Sequence, residues 1–326
     1  MPEGALDIHL QEAPLFADVC LGDTPGAAYW TETQDGLRLR LGLFRAPHAK
    51  GTVLLFPGRT EYIEKYAQSA DELAQRNLST LVIDWRGQGL ADRMLDDTRI
   101  GHVDSFDDYQ TDIRAMMSAA EALSLPRPFY LLSHSMGGCI ALRALHEGLD
   151  VTAAAFTAPM WGIRISLPLR PVAFVLKYLL PSIGLGHITP PTTVPEPYVL
   201  HAPFKTNTLT RDPEMWEAMR QQIGTHPQIS LGGPSIIWLR EALAECDALA
   251  AMPSPDTPCL TFLGTDERIV HTGRIHARMK AWRSGVLECV EGARHEVLME
   301  NAALRKDVFD QIARHFETAG SAARSA

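Results

Sequence analysis

The sequence lacks any run approaching the roughly 18 consecutive apolar residues that a membrane-spanning helix requires. It also lacks a cluster of basic residues. With 30 Lys and Arg against 39 Asp and Glu, the formal net charge is -9, and no stretch holds five basic residues together. That balance excludes the electrostatic footprint of a nucleic-acid binder. Cysteine is sparse and unpaired: Cys20, Cys139, Cys246, Cys259 and Cys289 are scattered, with no C-x-x-C spacing. A disulfide framework or a zinc knuckle needs paired spacing, so the expectation is free thiols in a reducing compartment. The first residues, MPEGALDIHLQEAP, carry acids where a signal peptide needs a basic end and an apolar core. A cytoplasmic protein is expected. Internal repeats and low-complexity tracts are missing as well.

What is present is an ordinary globular balance, 46% hydrophobic and 21% charged, over 326 residues. Trp30 to Leu43 alternates, with Leu37, Leu39, Leu41 and Leu43 on one side and Arg38 and Arg40 on the other. A period of two predicts a strand with one wet face, antiparallel to its neighbour. Short continuous apolar runs follow at Thr52–Phe56, Ser79–Ile83, Phe129–Leu132, Val151–Phe156, Cys259–Leu263 and Val286–Val290. Runs of this kind, separated by helix-length segments, predict parallel strands covered on both faces, with crossover helices. The rhythm breaks between Pro159 and Pro258, a proline-dense stretch with an apolar helix candidate at Val172–Leu180. The expected organisation is a core of residues 1–158 and 258–318, a cap at 159–257, and a flexible tail of small polar residues at 319–326.

The run at Phe129–Leu132 ends in Ser133-His134-Ser135-Met136-Gly137-Gly138. A serine on a tight strand-to-helix turn exposes its oxygen and aims the following backbone N–H groups at a developing oxyanion. The turn needs small residues two places before and two after the nucleophile. Ser135 has Ser133 and Gly137 there, whereas Ser133 would have Leu131 and Ser135. Ser135 is therefore the expected nucleophile. Such a serine needs a base and a third group that orients the base. Asp266 follows the run at Cys259–Leu263, in GTDERIV, and His295 follows Val286–Val290, in EGARHEVLME. The order Ser, acid, His matches the α/β-hydrolase triad, and each residue ends a predicted strand, where open α/β sheets build their sites.

Phe56-Pro57-Gly58-Arg59-Thr60 ends the first central run, so the Arg59 N–H is expected to pair with the Met136 N–H around the oxyanion. His134 is expected to pack rather than react. Asp84 precedes the nucleophile and is expected to order the loop Arg86–Leu90. His102 and Asp104 read as the start of a helix capped by Asp104 or Ser105. No H-E-x-x-H spacing occurs, so neither metal nor cofactor is expected.

These residues carry a resemblance. PGRTEYIEKY (57–66), DWRGQGLADR (84–93), GHVDSFDDY (101–109), SHSMGG (133–138), TAPMWGI (157–163) and LGGPSIIWLRE (231–241) resemble the α/β-hydrolases, within them the lysophospholipase L2 and monoacylglycerol lipase branch. The resemblance covers roughly residues 30–318. It implies a mostly parallel sheet flanked by helices, with a helical cap inserted after the sixth strand. It also implies Ser135 as nucleophile, Asp266 as acid, His295 as base, and the Arg59 and Met136 amides as oxyanion hole. Two positions depart from the pattern: Ser133 stands where glycine or alanine is usual, and Pro57-Gly58 where the lipases have His-Gly. TAPMWGI and LGGPSIIWLRE favour the lysophospholipase side.

The implied substrate is a single-chain lipid ester. The apolar stretch Pro168–Leu180, with Phe174, Leu176 and Leu179, reads either as an acyl channel or membrane-surface contact, or as an ordinary lid helix packed on the sheet. Two other classes remain open at this point. One is a small-ester or peptide hydrolase or a haloperoxidase on the same scaffold, and the other is a non-catalytic binding protein that has kept the triad.

Overall fold

The computed structural model describes residues 10–164, 184–190, 193 and 196–325. The helix candidate at Val172–Leu180 and the whole Pro168–Leu180 stretch lie outside the described residues. Among those described, nine strands form one sheet: β1 (Gln11–Ala13), β2 (Gly26–Glu32), β3 (Arg38–Phe44), β4 (Thr52–Phe56), β5 (Ser79–Asp84), β6 (Phe129–His134), β7 (Ala154–Thr157), β8 (Cys259–Gly264) and β9 (Gly285–Val290). Their order across the sheet is β1-β2-β3-β5-β4-β6-β7-β8-β9. The first three pairings, β1 with β2, β2 with β3 and β3 with β5, are antiparallel, and the rest are parallel.

Every residue of β4, β5, β6, β7 and β8 is buried, which is why these strands read as continuous rather than alternating apolar runs. Helices cover both faces: α1 (Ala67–Ala74), α2 (Asp108–Ala122), α3 (Met136–His146), α4 (Pro213–Thr225), α5 (Ile236–Ala251), α6 (Thr272–Ala281) and α7 (Ala302–Ser325). One core gathers under α2, α3, α5 and α6, around Phe56, Trp85, Met116 and Trp238. The other lies under α1 and α7, around Tyr66, Leu73, Phe309 and Phe316.

The alternating stretch Trp30–Leu43 is a hairpin rather than one strand. Thr33 turns the chain, its hydroxyl accepting from Leu37 N at 2.9 Å, and β2 pairs with β3 across it. The wet face is also absent at Arg40, whose side chain is fully buried. Its guanidinium donates to Glu64 Oε1 and Oε2 at 2.8 and 2.9 Å and to Asp84 Oδ2 at 2.7 Å. β3 runs inside the sheet, between β2 and β5, so a charge there survives only when it is compensated. Asp84 also accepts from Leu90 N at 2.8 Å and Ile63 N at 3.0 Å, and so ties the loop after β5 to the loop after β4. Burial raises the Asp84 carboxyl, with Arg40 pulling the other way. Removing Arg40 leaves two buried acids facing each other. Arg40→Met is expected to destabilise the fold by about 3–5 kcal/mol, seen as an earlier unfolding transition in denaturant.

Three further expectations are corrected. The insertion follows β7, the seventh strand in chain order, because the short β1 precedes the others. The residues from 319 onward continue α7 as far as Ser325, since Ala319 still packs on the second core. The helix after GHVDSF begins at Asp108 with Asp107 at its cap, not Asp104 or Ser105. No helix among the described residues is long and apolar enough to cross a membrane.

Candidate active site

Parallel pairing places the carboxyl ends of β4, β6, β7, β8 and β9 along one edge, through the partners Phe56–Ser133, His134–Thr157, Thr157–Phe262 and Gly264–Val290. The loops from this edge hold the site. Ser135 forms the turn between β6 and α3, with φ 49° and ψ -115°. A non-glycine residue pays about 1–3 kcal/mol for such a conformation and keeps it only where surroundings enforce it. Here Ser135 N–H donates to Thr157 O at 3.1 Å, while Ser135 O accepts from Met160 N at 2.8 Å and Gly138 N at 2.9 Å.

Glycine is required two residues on. A Cβ on Gly137 would stand 2.1 Å from Phe56 O and 2.5 Å from Pro57 O, so α3 begins hard against the end of β4. That approach brings the Met136 amide beside the loop carrying Arg59. Ser133, two residues before the tip, is buried, and its hydroxyl has no hydrogen-bond partner among the described residues. Its role is steric. Ser133→Gly is expected to keep ester turnover within about twofold of the parent, as befits a side chain without a polar role; a loss comparable to that of Ser135→Ala in the same assay would contradict this.

His295 lies in the loop after β9, drawn against β8 because a Cβ on Gly264 would be 2.3 Å from Ala293 O and 2.5 Å from Arg294 O. Its Nε2 is 2.9 Å from Ser135 Oγ. Its Nδ1 is 2.7 Å from a carboxylate oxygen, and that oxygen belongs to Glu267, not Asp266. The carboxylate fixes the tautomer: Nδ1 carries the proton and donates to Glu267 Oε2, leaving the Nε2 lone pair to accept from the serine hydroxyl.

The expectation for Asp266 is therefore corrected. Asp266 turns outward into a group of arginines, Arg268 at 2.7 Å, Arg211 at 3.2 Å and Arg294 at 3.6 Å. Arg268 foremost holds its carboxyl below the ordinary value. Glu267 points inward, with its side chain wholly buried, and its other oxygen accepts from Ile269 N at 2.5 Å and Val270 N at 3.1 Å. Burial pushes the Glu267 carboxyl up, but His295 and the two amides outweigh it and hold it below the ordinary value. The sequence does contain the signal: Asp266 has a local cation two residues on, whereas Glu267 precedes an apolar pair whose amides cap it.

Beside the triad lies a buried network that sequence reasoning did not foresee. Lys65 Nζ bridges Glu61 Oε1 at 2.5 Å and Glu296 Oε1 at 2.7 Å. His134 packs, as expected, with Nδ1 on Thr157 Oγ1 at 2.9 Å and its ring centroid 4.7 Å from that of His295. Its Nε2 faces Glu296 Oε2 at 3.4 Å. Burial lowers the His134 pKa, but Glu296 and Glu61 outweigh it and leave the ring more basic than usual. Glu61 also accepts from Gly58 N and from the Tyr66 hydroxyl, and Gln88 Nε2 donates to Gly58 O at 2.8 Å. The network thus holds the loop that carries Arg59.

Two clusters have the donor chemistry of a metal site: Glu61, His134 and Glu296, and His102, Asp104 and His187. In the first, Lys65 already supplies the cation. In the second, His102 is engaged by Ser235 Oγ at 2.7 Å and Asp104 Oδ1 at 3.1 Å.

Ser135 and His295 open into a cavity of about 390 Å³. Its walls are largely apolar, including Met160, Leu209, Met219, Ile223, Leu231 and Trp238.

A mostly parallel sheet with a serine at a strained strand-to-helix turn, hydrogen-bonded to a histidine from a later strand end, defines an α/β-hydrolase. Residues 47–302 match the family described as serine aminopeptidase S33, and the chain belongs to that family. It is 33% identical over 305 residues to lysophospholipase L2 of Escherichia coli strain K12, covering 86% of this chain and 85% of that one. It is 27% identical over 272 residues to a probable lysophospholipase L2 of Haemophilus influenzae, covering 81% of this chain and 82% of that one. Among solved structures, it is similar to a soluble variant of monoglyceride lipase from Saccharomyces cerevisiae bound to a substrate analogue. The TM-score is 0.70 at 18% identity, over 94% of this chain and 97% of that one, which is a likeness of fold. The chain is an ester hydrolase.

Proposed function

We propose that the protein hydrolyses lysophospholipids, releasing a fatty acid and a glycerophospho-alcohol. Ser135 attacks the ester carbonyl while His295 takes its proton, and Glu267 holds the imidazole and stabilises its cationic form. The Arg59 and Met136 amides receive the oxyanion. His295 then protonates the leaving alcohol, and water repeats the cycle on the acyl-enzyme. The observation that carries this reading is the hydrogen-bonded chain from Ser135 through His295 to Glu267 at the mouth of a mostly apolar cavity. The names of the relatives from Escherichia coli and Haemophilus influenzae support the substrate class.

An apolar pocket rewards each added methylene by up to about 0.8 kcal/mol. Ester series of rising acyl length are therefore expected to show kcat/KM climbing at least tenfold from butyryl to long-chain esters. A sharp preference for short acyl groups would contradict the lipid reading, and preference for acyl-peptides or amides would replace it with a peptidase.

A further inference from the structure

Arg59 enters the mechanism through its backbone, yet its side chain has no assigned role. It lines the cavity at Ser135, partly open to it. Nη1 donates to Gly232 O at 2.8 Å, and the guanidinium lies 5.5 Å from the centre of the Trp238 ring. PGRTEYIEKY and LGGPSIIWLRE, far apart in sequence, meet at these two contacts. What its contacts lack is an anion: among the described residues no carboxylate pairs with Arg59. The carboxylates of the same cavity are already committed: Glu61 and Glu296 are bridged by Lys65 and face His134. Burial, opposed by Tyr109, pulls the Arg59 guanidinium down to about 10, so it remains charged.

A charged guanidinium at an apolar cavity wall, with donors left over beyond the one on Gly232, is best completed by an anion. Its planar fork suits phosphate, which it can engage through two parallel hydrogen bonds. In a lysophospholipid the phosphate sits one glycerol unit from the attacked carbonyl. That is the kind of span an arginine side chain crosses when its own amide lies at the oxyanion. We infer that the Arg59 side chain, seated on Gly232 and Trp238, is the headgroup-phosphate recognition element of the cavity and shifts its selectivity toward phosphodiester-bearing lipids relative to neutral monoacylglycerols. This rests on the lysophospholipid reading and narrows it to one residue.

The test compares a lysophosphatidyl ester with a monoacylglycerol of the same acyl chain, in the parent, Arg59→Gln and Arg59→Lys. The readout is the ratio of the two kcat/KM values, because both variants keep the backbone N–H. Loss of hydrogen bonds to a charged group predicts a ratio lower by about 10- to 100-fold in Arg59→Gln. Arg59→Lys retains the charge without the fork and is expected to fall in between. Inhibition of monoacylglycerol hydrolysis by sn-glycerol 3-phosphate is expected to weaken in parallel. An unchanged ratio would overturn the inference. So would equal losses on both esters, which would place the side chain's role in holding the oxyanion loop. A parent enzyme that favours the monoacylglycerol would overturn the lysophospholipid reading instead, and the variant ratio would still decide whether Arg59 meets phosphate.

Discussion

Glu267→Gln is expected to lower kcat by about 10⁴-fold, while Asp266→Asn, one residue away, changes it by no more than about threefold. A neutral amide in place of Glu267 keeps the side-chain volume. It also presents a group that can donate to Nδ1, which favours the tautomer with the proton on Nε2, where the serine needs an acceptor. It further removes the negative charge that offsets the imidazolium. Nothing of this kind follows at Asp266, where the neighbours are Arg268, Arg211 and Arg294 and the first two side chains are more than half exposed to solvent. Steady-state kinetics on one soluble ester, with both variants checked for folding by circular dichroism, separates the two positions. A collapse of activity in Asp266→Asn with a working Glu267→Gln would restore Asp266 as the acid.

Ser135→Ala is expected to have the largest effect, a fall in kcat of about 10⁶-fold, with a residue of catalysis from the oxyanion donors and binding. The fold should be retained. The contacts that enforce the turn, Ser135 N–H to Thr157 O and the Met160 and Gly138 N–H groups to Ser135 O, are all backbone, and alanine fits the same space. The assay must therefore reach far below parent turnover, and acyl-enzyme bursts should vanish along with the steady state. Turnover close to that of the parent would remove Ser135 from the reaction.

The parallel strands were legible because full burial on both faces writes itself as uninterrupted apolar residues, as in Thr52–Phe56 and Cys259–Gly264. The elbow was legible because a steric rule, small residues on either side of the tip, acts within five positions. Arg40 was not, since its partners Glu64 and Asp84 arrive from other elements and nothing local marks a charge as compensated. The same holds for Lys65, whose burial is decided only when Glu296 is folded against it. Asp266 and Glu267 differ only in the direction the turn after β8 sends each side chain. A strand end locates an acid to within a residue or two, and the turn geometry decides which of two neighbours faces inward. Arg59 shows the converse: the backbone role proposed for it follows from its position after β4, whereas its side chain gains meaning only when Gly232 and Trp238 meet it.

The central claim is that Ser135, activated by His295 on Glu267, is the group that attacks. Labelling with a fluorophosphonate followed by peptide mapping tests it most directly, because the probe forms a bond only with an activated nucleophile. The account predicts stoichiometric modification of Ser135 in the parent and in Ser133→Gly, slowed by orders of magnitude in Glu267→Gln and absent in Ser135→Ala. Modification at Ser133, or none in the folded parent, would contradict it.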